Sequence, residues 1–182
     1  MVIKDLTMKN YLKWLVLLIA MICSSHNTFA GDKNPINDKM DSVAAIKKIK
    51  SDFALINKQL KFFRKRTRDA FGMSAEGGVV TGYYNKGALK KIHCVFYGET
   101  GKTEADYYLN NKNLFFLYKK ETVYDKPISL KGFKIKNSTE YRYYLSGGKV
   151  IKKIIKPNTS LLLSYSQIEA DLEQIMALLD EK

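Results

Sequence analysis

Apolar and polar positions change period twice along the chain. From Asp41 to about Phe71, Ile46, Ile49, Phe53, Ile56, Leu60 and Phe63 recur at spacings of three and four. That period predicts one long helix with a single apolar seam. Asp41 would be its N-cap and Gly72 its stop. Leu55 and Phe62 widen the seam, which favours packing on a sheet over the alternative, a two-stranded coiled coil. From Val79 the period falls to two. Ile92, Cys94 and Phe96 alternate with Lys91, His93 and Val95, and Ala105, Tyr107 and Leu109 alternate with Glu104, Asp106 and Tyr108. Leu114–Tyr118 is a nearly continuous apolar run, as in a strand near the middle of a sheet. Asp125-Lys126-Pro127 breaks the pattern, and Ile128–Ser138 reads as a crossing loop with a short edge strand. After Thr159 the helical period returns through Ile168, Leu172, Ile175, Met176 and Leu179, with Ser166 and Glu169 as a capping box. This last helix is acidic, and its charge would suit a place beside the basic end of the first.

One phrase is written three times within the sheet region. Tyr83-Tyr84-Asn85-Lys86-Gly87-Ala88-Leu89 is followed by Tyr107-Tyr108-Leu109-Asn110-Asn111-Lys112-Asn113-Leu114, then by Tyr143-Tyr144-Leu145-Ser146-Gly147-Gly148-Lys149-Val150. Each is a tyrosine pair, a turn of Asn, Gly, Lys or Ser, and an aliphatic residue opening a new run. Tyrosine suits a half-buried pleated surface, and Asn and Gly supply the positive φ of tight hairpins. The chain therefore reads as α+β: a long N-terminal helix packed on a curved antiparallel meander of five to seven strands, with a C-terminal helix.

Lys4, Lys9 and Lys13 precede the apolar run Trp14–Ile22, and Thr28 and Ala30 stand at −3 and −1 of a cleavage site. Residues 1–30 thus have the form of a signal peptide, with Met8 an alternative start to Met1. The apolar run is shorter than a membrane span requires. The expected organisation is a leader over 1–30, a flexible lead-in over 31–40 and one α+β domain over 41–182, periplasmic or secreted. Losing three lysines and one aspartate with the leader takes the formal charge from +13 to +11. An exported cation of this kind points to an anionic lipid headgroup, a glycan or an acidic protein as partner, and away from nucleic acid.

The run from Gly82 to Tyr118, with its Tyr-Tyr-turn-Leu units and the intervening Phe96-Tyr97-Gly98-Glu99-Thr100-Gly101, resembles small exported bacterial proteins of unknown function. In those, tyrosine-rich hairpins stack into an antiparallel sheet. The phrase is also similar to MORN-type repeats. The resemblance implies a structural or binding role and carries no catalytic residue.

Candidate chemistry is sparse. After processing, His93 is the sole histidine and Cys94 the sole cysteine. As neighbours on a strand they point to opposite faces, so they make no dyad, and Cys94 falls with Ile92 and Phe96 as a small core residue. One imidazole is too few for an ordinary zinc site, so no metal and no cofactor is expected. Glu104 and Asp106 share a strand face, about 7 Å apart by strand rise. That spacing could suit glycan hydrolysis, but alternating charge on a strand's wet face is the ordinary explanation. Gly98-Glu99-Thr100-Gly101-Lys102 joins two strands and lacks phosphate-loop spacing, so it is a turn. The candidate partner-binding residues are Tyr84, Tyr108 and Tyr144, which would form an aromatic patch if they share an exposed face, and Lys61, Arg64, Lys65 and Arg68 at the basic helix end, beside Lys58 and Arg66. The alternatives are that the tyrosines are core and the cations serve a helix dipole. The expected function is non-enzymatic binding in the cell envelope; the alternative is an inhibitor or immunity-type protein that blocks a secreted enzyme or toxin.

Overall fold

The computed structural model describes residues 35–157 and 163–181, with side chains from residue 41 onward. The expected leader lies outside the described residues. Contacts group Lys39–Lys182 into one compact unit; of the other, Met1–Asp38, only the first residues of a helix are described. The elements are α1 (Pro35–Gln59), a 3-10 turn (Leu60–Phe62), seven strands and α2 (Tyr165–Asp180). The strands are β1 (Arg64–Asp69), β2 (Gly78–Asn85), β3 (Ala88–Gly98), β4 (Gly101–Asn110), β5 (Asn113–Tyr124), β6 (Ile135–Ser146) and β7 (Lys149–Lys156). They form a single antiparallel sheet in sequence order. The α+β class, the meander and the presence of both helices agree with the sequence pattern, but α1 begins at Pro35, inside the expected lead-in 31–40 and ahead of the expected N-cap Asp41.

The first helix, however, stops at Gln59 rather than near Phe71. Its seam runs as far as Phe63, which is buried after the 3-10 turn. Beyond Phe63 the positions three and four residues on are Arg66 and Thr67, so a longer helix would have no apolar face to bury. Arg64–Asp69 instead pairs with β2 as the edge strand, satisfying backbone groups that β2 would otherwise expose. Leu55 and Phe62, read as widening the seam, are 53% and 76% exposed.

Three hairpins turn where the repeated phrase places them. Lys86 and Gly87, Asn111 and Lys112, and Gly147 and Gly148 all have positive φ, between 48° and 83°. Positive φ at both central residues marks the type I′ turn, whose twist matches that of paired strands. Each hairpin then carries a bulge in its returning strand: the register shifts opposite Tyr83/Tyr84, Tyr108/Leu109 and Tyr144/Leu145. The extra residues are Lys90, Phe115 and Ile151.

The two helices lie on opposite faces of the sheet, not side by side. Ile168, Leu172, Ile175 and Leu179 of α2 close over Val80, Ile92, Cys94, Ala105, Tyr107, Leu109, Leu117, Tyr143 and Leu145. Gly82 allows the close approach: a Cβ there would meet Leu179 Cδ1 at 3.1 Å. Ile49 and Ile56 of α1, with Phe53 beside them, pack on Tyr108, Phe116 and Tyr144 of the other face. The N-cap of α2 is Ser164, two residues before the expected Ser166. Its hydroxyl accepts from Gln167 N–H at 3.2 Å, and Gln167 Oε1 accepts from Ser164 N–H at 2.8 Å. Arg66 and Arg68 of β1 both donate to the Glu181 carbonyl at the far end of α2, Arg68 at 2.8 Å. These cations do meet the negative end of a helix dipole, but it is the last helix rather than the first.

Candidate functional site

Register sets the face that α1 packs on as a series of rows running across the strands. The first row is Lys65, Tyr83, Lys91, Tyr108, Phe116, Tyr144 and Lys152, one residue from each strand. Its centre is aromatic and covered by α1: Phe53 sits 4.9 Å from the Tyr108 ring and 5.1 Å from Phe116, and Phe116 lies 5.0 Å from Tyr144. Its flanks are cationic, with Lys65 over Tyr83 at 5.6 Å and Lys152 over Tyr144 at 6.0 Å.

This row decides the fate of the candidate tyrosines. Counted back from the turns, Tyr83 is equivalent to Tyr108 and Tyr144, because the first tyrosine pair stands one residue closer to its turn. Tyr84 therefore faces the α2 side, against Gly82, with Arg64 at 5.3 Å from its ring. Tyr108 and Tyr144 are 2% and 6% exposed beneath α1. The three do not share a face and form no exposed patch. The candidate cations divide likewise: Lys65 rides on Tyr83, Arg64 on Tyr84, Lys61 on the exposed Phe62 ring, and Arg68 holds the end of α2.

The next row, Thr81, His93, Asp106, Tyr118 and Arg142, lies at the margin of α1, and the row beyond holds Val95, Glu104, Lys120 and Glu140. These side chains are half-buried and form a polar strip. At its centre Asp106 receives Lys91 Nζ at 3.0 Å and His93 Nδ1 at 2.8 Å, one on each carboxylate oxygen. An ionised carboxylate only accepts, so Nδ1 carries the ring proton in this pair. Glu104 pairs with Lys102 at 3.2 Å and Glu140 with Arg142 at 2.7 Å, while Arg142 also lies 5.4 Å from the Tyr118 ring. Glu104 and Asp106 do share a face, but each is engaged with its own cation.

Burial pushes the Lys91 ammonium down, yet the Asp106 carboxylate and the Tyr108 hydroxyl beside it outweigh that and leave its pKa raised. Burial likewise pushes Asp106 up, and the His93 hydrogen bond and Lys91 charge together hold it below the usual carboxylate range. Tyr108 links the network to the helix by donating to Asn57 Oδ1 at 3.0 Å. Cys94 lies on the opposite face, fully buried, and burial pushes its thiol well up. Among the described residues no group of three or more His, Cys, Asp or Glu side chains is placed to hold a metal ion.

The Lys91–Asp106–His93 cluster went unrecognised in the sequence, although its signal is there. Once Gly98 and Gly101 are paired across the Glu99-Thr100 turn, His93 falls opposite Asp106 and Lys91 opposite Tyr108. At the hairpin end of the same face, a cleft of about 260 Å³ opens between α1 and the sheet. Lys48, Asp52, Gln59, Asn85, Lys90 and Asn110 rim it over Ile56, Phe63 and Phe115. No helix among the described residues is long and apolar enough to cross a membrane. No family model, curated protein or solved structure matches the chain.

Proposed function

We propose that this protein is a non-enzymatic binding module of the bacterial envelope, exported by its leader, that takes its partner on the polar strip beyond α1. The observation that carries this reading is the division of one sheet face: α1 covers the aromatic row, and the next two rows present Tyr118, Lys120 and Arg142 half-exposed. A strip of half-buried charges with aromatic and arginine side chains is suited to recognising a surface of complementary charge. The binding reading is further supported by the state of the catalytic-looking groups. Asp106 is tied to the Lys91 ammonium and the His93 ring, and the thiol next in sequence to His93 is sealed on the other side of the sheet.

The test is capture from the protein's own envelope extract, at low and high salt, by the wild type and by a Tyr118→Ser, Lys120→Glu variant. One protein retained at high salt by the wild type and lost by the variant is the expected result. Identification of that protein as a secreted enzyme that loses activity in the complex would favour the inhibitor reading. Equal capture by both forms would move the partner off this strip.

A further inference from the structure

The loops 70–77, 99–100 and 125–134 all lie at the end of the sheet opposite the three tyrosine hairpins. Backbone hydrogen bonds lock them together: Tyr97 N–H donates to the Gly77 carbonyl at 2.9 Å, Tyr124 N–H to Thr100 at 2.8 Å and Ile128 N–H to Glu99 at 2.9 Å. Of the nine exposed large apolar side chains among the described residues, six are here: Phe71, Tyr97, Val123, Leu130, Phe133 and Ile135. The other three lie on α1 or just after it.

The loop between β5 and β6 concentrates both apolar surface and charge. Leu130, Phe133 and Ile135 are 53%, 42% and 64% exposed. Lys126, Lys131, Lys134 and Lys136 interleave with them, and Asp125 is the sole acid, for a formal charge of +3 over residues 125–136. The loop is preformed. Its neck is closed by Asp125 N–H to the Lys134 carbonyl at 3.0 Å and Lys134 N–H to Asp125 Oδ1 at 2.8 Å. Leu130 N–H donates to Pro127 O at 3.0 Å, and the Phe133 ring rests 4.8 Å from Tyr124. The backbone that carries these exposed apolar side chains is thus ordered before docking, which lowers the ordering cost of binding.

We propose that this loop docks on an anionic lipid bilayer, with Leu130, Phe133 and Ile135 entering the interface and the lysines meeting the headgroup phosphates. Charge complementarity selects this occupant. Lysine stems lie along apolar surface while their ammonium groups reach polar phosphate, which suits alternating lysine and apolar positions to a bilayer surface. The core of a protein–protein interface, by contrast, is depleted in lysine. The inference is independent of the polar strip and of any partner there.

The experiment uses the natively processed protein with vesicles of phosphatidylethanolamine containing phosphatidylglycerol, against pure phosphatidylcholine. Binding to the anionic vesicles alone is expected, falling roughly tenfold or more in Lys131→Gln, Lys134→Gln and in Leu130→Ser, Phe133→Ser. A Phe133→Trp variant reports depth: compared with wild type, its added indole emission should shift to the blue on those vesicles and be quenched by brominated lipid. Vesicle binding untouched by the loop changes, or lost only on changing Lys61 and Lys65, would overturn the proposal. So would an indole that stays in water while the protein is bound, or loop-dependent capture of a soluble protein with no affinity for vesicles.

Discussion

The two faces of the sheet are built from alternate residues of the same strands, yet they are closed in different ways. On the α2 face, Val80, Ile92, Cys94 and Leu109 are fully buried, and the four buried side chains of the helix that seals them, Ile168, Leu172, Ile175 and Leu179, are all aliphatic. On the α1 face the contact is made by rings, Phe53 against Tyr108 and Phe116, and the row beside them is ionic. The comparison teaches that the α2 face carries the fold through close-packed volume. It too has an ion pair, Lys119–Glu121 at 2.8 Å with Tyr141 donating to Glu121, but no hydrogen bond or ion pair among the described residues ties this group to the helix that seals that core. The α1 face mixes support with presentation: Tyr108 is at once a core ring under α1, the hydrogen-bond partner of Asn57 and the neighbour of Lys91 at 4.9 Å.

This contrast can be broken most forcefully in the core. Ile175→Ala, at a site 1% exposed under α2, should destabilise the protein by about 2–5 kcal/mol, since transfer and cavity costs add. Ile49→Ala on the α1 side, at 5% exposure beside aromatic rings and solvent, should fall at the low end of that range. Urea denaturation of both variants measures the difference, and equal losses would erase the distinction between the faces.

A middle-sized effect is expected at the ionic cluster. Asp106→Asn leaves Lys91, whose side chain is 10% exposed, without its carboxylate, at a cost of about 2–3 kcal/mol. The same variant sharpens the pH behaviour. Because folding lowers the Asp106 pKa, its contribution is present above the unfolded value and is lost as pH falls through the lowered one. Lys91, with a raised pKa, contributes fully below its unfolded value of 10.5 and loses that contribution as pH rises through the folded one. Wild-type stability should therefore decline toward both acid and strongly alkaline pH, and Asp106→Asn should flatten both limbs. Unfolding midpoints measured across pH, with unchanged limbs in the variant, would show that the cluster adds nothing.

The smallest effect separates ring from hydroxyl. Tyr108→Phe keeps the aromatic row and removes the bond to Asn57, for a loss of about 1 kcal/mol. A loss as large as that of Asp106→Asn would mean that the hydroxyl supports Lys91 as much as it supports α1.

Much of this architecture was legible from local chemistry, and the exceptions have definite causes. The hairpin turns could be read because positive φ restricts the residues that fill them. The tyrosine pairs misled because a dipeptide does not show its phase: the first pair stands one residue nearer its turn than the other two, and one residue exchanges faces. The bulges added a second concealment, since they bring successive residues such as Phe115 and Phe116 into one cluster, which strict alternation would separate. Strand β1 was hidden by an apolar seam that runs unbroken to Phe63, while its own six residues contain no large apolar side chain. The Lys91–Asp106–His93 cluster needed a long count from a turn, and the lysine-rich loop after β5 has neither a helical nor a strand period to draw attention.

By itself the sequence determined where the chain turns, which segments are helix and sheet in outline, and that Cys94 belongs to a core. Those properties follow from φ preferences and from hydrophobic spacing within a few residues. Only the tertiary structure decided that the helices take opposite faces, that Tyr108 and Tyr144 lie under α1 while Tyr84 does not, and that the arginines of β1 hold the end of α2. The reason is physical: a side chain's face is set by strand register and bulges, and its partner by which apolar surface is left to cover. Both are settled by contacts between residues distant in sequence.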